Sequence, residues 1–83
     1  MLTITYSKAA TRALRKMPRN ISEVILSKIE GYAADPAAFA NVVKKLQGRD
    51  GYRMRVGDYR VIFNRGADSV SIEVVAPRGR AYE

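Results

Sequence analysis

Residues 52–63 read YRMRVGDYRVIF. Two runs rich in aromatic and β-branched residues flank Gly57-Asp58, a pair suited to a two-residue hairpin turn. A turn of that length fixes the register, so Val56 faces Tyr59, Arg55 faces Arg60, Met54 faces Val61, Arg53 faces Ile62 and Tyr52 faces Phe63. Side chains alternate across a strand. Tyr52, Met54, Val56, Tyr59, Val61 and Phe63 therefore share one face, while Arg53, Arg55 and Arg60 converge with Ile62 on the other. The first face needs a cover and the second does not, which predicts a sheet with helices on one side and the other side open.

The flanking sequence supplies the cover. LTITY (2–6) alternates as a half-buried strand does. Ser7 is placed to cap a helix whose apolar positions Ala9, Ala10, Ala13, Leu14 and Met17 recur at helical spacing, with Arg12, Arg15 and Lys16 on the wet side, and Pro18 ends it. Asn20 with Glu23 three residues on resembles a capping box. A second amphipathic helix follows through Ile21, Val24, Ile25, Ile29 and Tyr32 as far as Asp35-Pro36, giving an antiparallel helical hairpin. Residues 37–51 read as a connection with apolar anchors Phe39, Val42, Val43 and Leu46 and a Gln47-Gly48-Arg49-Asp50-Gly51 loop. Beyond the hairpin, Ser69 to Val75 makes the last strand of a three-stranded antiparallel meander, and the chain leaves the sheet at Pro77. The predicted fold is α+β, in the order β-α-α-β-β-β, a single domain over residues 1–83.

Composition narrows the chemistry. The chain has 83 residues, 47% of them hydrophobic, which suits one small core. It contains neither cysteine nor histidine, so disulfides, thiolate metal sites, the commonest metal ligand and the commonest general base are all missing. No metal and no cofactor is expected. No long apolar run suggests a signal peptide or a membrane span, and a cytoplasmic location is expected by default. Fifteen Lys and Arg against eight Asp and Glu give a net charge of +7 and a pI of 10.2, pointing to an anionic partner such as nucleic acid or an acidic protein. Residues 1–35 hold six basic and three acidic side chains and residues 36–83 hold nine and five, so any patch must come from folding.

The arginines of the hairpin are candidates for that patch. Like charges opposite one another on neighbouring strands are destabilising, so Arg55 facing Arg60 costs stability unless an anion lies between them. A phosphate fits, and guanidinium suits bidentate phosphate contact. The alternative is that the arginines keep an exposed face soluble, their stems lying over apolar neighbours. Arg78, Arg80 and Tyr82 leave the end of the last strand, where functional groups often sit, and Arg78 is placed to join the cluster. Tyr82 reads equally as a tail aromatic covering a core edge.

The pattern resembles the RelE/ParE superfamily of type II toxin–antitoxin toxins. The resemblance spans nearly the whole chain: a strand, a helical hairpin, KKLQG like the family's K-L-x-G, then YRMRVGDYRVIF, then VAPRGRAYE. It is closer to the RelE branch, whose members cut mRNA in the ribosomal A site, than to the ParE branch, which poisons DNA gyrase. By position, Arg53 and Arg55 match a pair of basic residues before the turn. Arg60 matches the arginine of Y-R-x-x-[YF] and would hold the scissile phosphate. Arg78 and Tyr82 match an arginine and a tyrosine in the C-terminal R-x-x-x-Y, and Lys45 matches a basic position that contacts nucleic acid. Lys44, Arg49 and Arg80 are further expected RNA contacts.

The activity this implies is a metal-independent, ribosome-dependent endoribonuclease: the ribose 2′-oxygen attacks phosphorus, arginines stabilise the phosphorane and a donor protonates the 5′-oxygen. Arg53, Arg55 and Arg60 would stabilise charge and Arg78 would assist the leaving group. Tyr82 would stack a base or help to activate the 2′-hydroxyl. Many relatives have lysine where this chain has Arg53 and Arg55, and arginine stays protonated, so no general base is assigned. The implied partners are an antitoxin in a hetero-oligomer, the ribosome and mRNA. Two other readings stand beside this one: a ParE-like gyrase inhibitor without nuclease activity, and a non-catalytic basic nucleic-acid-binding module.

Overall fold

The hairpin turn sets the frame. Gly57 has φ +56°, and no residue other than glycine has a positive φ among those described, so the turn places its glycine first, as a type II′ turn requires. The computed structural model of the chain describes residues 1–78. Its elements are β1 (Thr3–Tyr6), α1 (Lys8–Lys16), α2 (Arg19–Ala34), a 3-10 turn (Pro36–Phe39), β2 (Val43–Lys45), β3 (Tyr52–Val56), β4 (Tyr59–Arg65) and β5 (Ser69–Pro77).

The strands form one mixed sheet in the order β1-β5-β4-β3-β2. β1 runs parallel to β5 and the remaining pairings are antiparallel. β3 and β4 pair in the register expected from the turn, from Val56↔Tyr59 through Arg55↔Arg60 to Tyr52↔Phe63. The α+β architecture with helices on one face is as the sequence predicts. One strand is added to it: Val43–Lys45, expected within a connection, pairs with β3 at the sheet edge. Three residues carry little strand signal of their own, and their conformation is set by β3 beside them.

Met54, Val56, Val61 and Phe63 are buried against the helices, with Tyr52 and Tyr59 packed on the same cluster. Phe63 stacks on Tyr52 with ring centroids 5.6 Å apart and meets Tyr32 of α2 at 5.1 Å. Ser7 caps α1 as expected: its Oγ accepts from the Ala10 N–H at 3.0 Å, and the same hydroxyl donates to the Glu73 carbonyl at 2.7 Å. One atom thus starts the helix and ties it to β5.

Three expectations change. The Asn20/Glu23 capping box does not form, because α2 starts earlier. Pro18, with its φ restricted by the ring, is the N-cap, and its carbonyl accepts from the Ile21 and Ser22 N–H groups, leaving Asn20 within the first turn. Val24, read as part of the buried stripe of α2, is 51% exposed, while Ile25, Ile29 and Tyr32 are buried. The second face of the sheet is also not wholly open: Leu46 folds over it and forms a small cluster with Ile62, Val74 and Ala76. The Leu46 N–H donates to the Gly51 carbonyl at 2.9 Å, closing the 47–50 loop. Gly51, at φ +118°, is needed there, since a Cβ would come within 3.2 Å of the Phe63 carbonyl oxygen and of Leu46 Cδ1.

Candidate nucleic-acid interface

Register and alternation build the site. Arg55 lies opposite Arg60, Arg53 opposite Ile62, and on the other side of β3 Lys44 lies opposite Arg53. Paired residues share a face, so Lys44, Arg53, Arg55 and Arg60 occupy the side of the sheet away from the helices, across β2, β3 and β4. Opposed side chains start about 5 Å apart and residues two along a strand about 7 Å apart, so the four cationic side chains share one patch. Arg55 is exposed, while Arg53 and Arg60 are half-buried. Ala76 is the β5 partner of Arg60.

Arg78 begins beside this cluster. Its N–H donates to the Asp58 carbonyl at 2.8 Å, which fastens the end of β5 to the β3–β4 turn. Lys45 is not brought to the same face: it lies opposite Tyr52, whose ring belongs to the helix side. Arg49 is held by Glu73, with Nη2 3.6 Å from Oε1. Arg80 and Tyr82 lie outside the described residues.

Two polar groups of this face were not singled out from sequence. β5 carries a bulge where the β4 register shifts between Ile62 and Phe63, so that Ile62 pairs with Val74 while Phe63 pairs with Ile72. Glu73 is the extra residue. Its carboxylate accepts from Asn64 Nδ2 and faces Arg49. Period two from the buried Val70 and Ile72 puts Ser71 and Glu73 on this outer side; the bulge places Val74 there as well, beside Ile62, and returns Val75 to the helix side. The face therefore has three zones: cations on β2 to β4, an apolar ridge of Leu46, Ile62 and Val74, and a polar strip of Asn64, Glu73, Ser71 and Thr5, where Thr5 Oγ1 lies 3.5 Å from Ser71 Oγ.

The domain is thus two-layered and α+β, with a guanidinium-rich sheet face. Residues 4–82 match the family described as "ParE toxin of type II toxin-antitoxin system, parDE". The chain belongs to the RelE/ParE superfamily and is a type II toxin–antitoxin toxin. It is 31% identical to a chain of the archaeal RelE–RelB complex from Pyrococcus horikoshii OT3, with a TM-score of 0.77 over 96% of this chain and 98% of that one. The same fold recurs at 24% identity and TM-score 0.76 in the RelBE2 toxin–antitoxin complex of Mycobacterium tuberculosis, over 93% of this chain and 98% of that one. It recurs again at 21% identity and TM-score 0.77 in the intact Escherichia coli RelBE complex, over 96% and 100%. No curated protein matches the sequence. Among the described residues, no helix is long and apolar enough to cross a membrane.

Proposed function

We propose that this toxin is a ribosome-dependent mRNA endonuclease of the RelE kind, acting by attack of a ribose 2′-oxygen on the adjacent phosphorus. The observation that carries the reading is the Arg55/Arg60 cross-strand pair, flanked on the same face by Arg53 and Lys44. Two guanidinium groups set opposite each other can close on one phosphate whose charge rises towards the phosphorane. Arg53, Arg55 and Arg60 stabilise that charge, and Arg78, anchored beside Asp58, assists the departing 5′-oxygen. Lys44 adds a backbone contact on this face, and Arg80 and Tyr82 complete the set from the C-terminal residues. The guanidinium groups hold and stabilise but do not accept a proton, so alignment of the strand by the ribosome contributes much of the acceleration.

The partner in this reading is an antitoxin, as in the RelE–RelB and RelBE complexes that share the fold. An acidic or amphipathic segment ordering on the basic surface would inhibit by competing with RNA.

Primer extension on a reporter mRNA in a reconstituted translation reaction tests the proposal. Wild-type protein should give cuts in the A-site codon only when ribosomes are present, and Arg60→Ala should give none. A second reading is supported by the ParE description of the matched family: inhibition of DNA gyrase without RNA cleavage. Uncut mRNA together with inhibited supercoiling would select it.

A further inference from the structure

At the β2 edge of the sheet a second opening lies beside the cation pair. β2 begins at Val43, and the residues before it turn back on themselves, with the Val42 N–H donating to the Phe39 carbonyl at 3.0 Å. The Arg55 N–H donates to the Val42 carbonyl, also at 3.0 Å, which ties this turn to β3. Phe39 is wedged against α2: a Cβ at Gly31 would come within 2.8 Å of its Cζ, and its ring meets Tyr32 edge-on with centroids 6.2 Å apart. Between these elements lies a hollow of about 360 Å³. Phe39, Val42 and the buried Met54 give it an apolar lining, and Lys28, Asn41 and Arg55 give it polar groups. Among the described residues, no carboxylate lines it. Arg55 thus belongs to two structures at once, since it faces Arg60 across the strands and also lines the hollow.

We infer that this hollow is a base pocket, which takes one unstacked nucleobase of the RNA strand whose phosphate lies at Arg55 and Arg60. A nucleobase is a flat ring system with hydrogen-bonding edges, and single-stranded RNA is read by stacking such rings on aromatic side chains and bonding their edges. Phe39 supplies the aromatic ring. Asn41, which is exposed, carries a donor and an acceptor on one side chain, the combination that pairs bidentately with an adenine edge. The volume, and an apolar lining with a few polar groups, are those of a small-ligand site. Lys28 and Arg55 make it cationic, which suits a base that arrives attached to a phosphate. A base and its own phosphate are joined through one ribose, so Arg55 at the boundary fixes both ends of a single nucleotide. An apolar peptide side chain is the weaker fit, because it fills the lining but gives Asn41 and Lys28 nothing to bond. The inference rests on the RNA-directed reading given above and extends it from the phosphate to the base beside it.

The test adds short single-stranded RNAs of each base, an abasic RNA of the same length and a leucine-containing acidic peptide to the full chain, and follows methyl and arginine Nε–H signals by NMR. A base-bearing RNA should shift the Val42 and Met54 methyl signals, while the abasic RNA should shift the Arg55 signal and leave those methyls in place. Asn41→Ala should lower the affinity ratio between the best-bound and worst-bound base by roughly fivefold or more, with abasic binding unchanged. Phe39→Leu should weaken every base-bearing RNA and spare the abasic one. Urea midpoints show that the variants fold, and the exposed Asn41 keeps the test decisive should Phe39→Leu unfold. Equal affinity for base-bearing and abasic RNA overturns the inference. So do methyl signals that stay in place while the Arg55 signal moves, or an RNA that moves neither. Methyl shifts with the peptide alone overturn it in favour of a protein contact. Arg60-dependent cutting with unmoved methyls removes the pocket and keeps the endonuclease, whereas uncut mRNA with base-dependent methyl shifts does the reverse, so the two failures are separable.

Discussion

Arg55 and Arg60 stand directly opposite each other on β3 and β4, with the two-residue Gly57-Asp58 turn just beyond them. Like charges placed opposite each other on neighbouring strands repel. Under the proposed endonuclease reading, function and stability pull in opposite directions at this pair.

The exposed member of the pair tests that conflict. Arg55→Thr, a good strand residue, should raise folding stability by about 0.2–1 kcal/mol while reducing mRNA cutting at least tenfold. Urea unfolding read against primer extension checks both halves, and a variant that loses stability along with activity would show that Arg55 is a structural residue.

Ser7 performs two tasks with one hydroxyl, accepting from Ala10 N–H and donating to the Glu73 carbonyl. Ser7→Ala should cost about 1–2 kcal/mol, at the upper end for removal of an N-cap because the link to β5 goes with it. In a domain of this size, each kcal/mol lowers the melting midpoint by roughly 4–8 °C, easily seen by circular dichroism.

Leu46 is 8% exposed and covers Ile62 on the side of the sheet away from the helices. Leu46→Ala should cost about 2 kcal/mol, the low end for such a truncation because solvent reaches one side. Faster amide exchange at Ile62 and Val74 should accompany the destabilisation and report the uncovered ridge.

Tyr6 carries the pH dependence. Partial burial, with Glu30 adding a negative neighbour, raises its phenol above the ordinary 10.0. A raised phenol favours the neutral form in the folded protein, so stability is highest below the unfolded value and falls as pH rises through it, where the unfolded chain ionises first. The urea midpoint should therefore fall as pH is raised from about 9 through 10 and above in wild type, and fall less in Tyr6→Phe.

The hairpin shows how much of this protein a short stretch of sequence carries. A two-residue turn and a side-chain period of two place Met54, Val61 and Phe63 inward and Arg53, Arg55 and Arg60 outward, with no information from elsewhere in the chain. Ser7 as the α1 cap and Asp35-Pro36 as the end of α2 are legible for the same reason, since each depends on atoms within a few residues. Asn20 was misleading because Pro18, two residues earlier, supplied a start of its own.

What the sequence by itself determined is thus the local geometry: the α+β order, the β3–β4 register and the cation pair on it. Tertiary structure decided the rest: β2 pairing at the sheet edge, β1 lying parallel to β5, Leu46 closing over Ile62, and the bulge that sends Val74 to the outer side beside Glu73. These contacts join residues far apart in the chain, and their energies come from surfaces that exist only after the layers have packed. Lys44 and Lys45 make the division concrete. They are adjacent and alike in sequence, yet pairing with Arg53 and Tyr52 sends one to the arginine face and the other to the helix side.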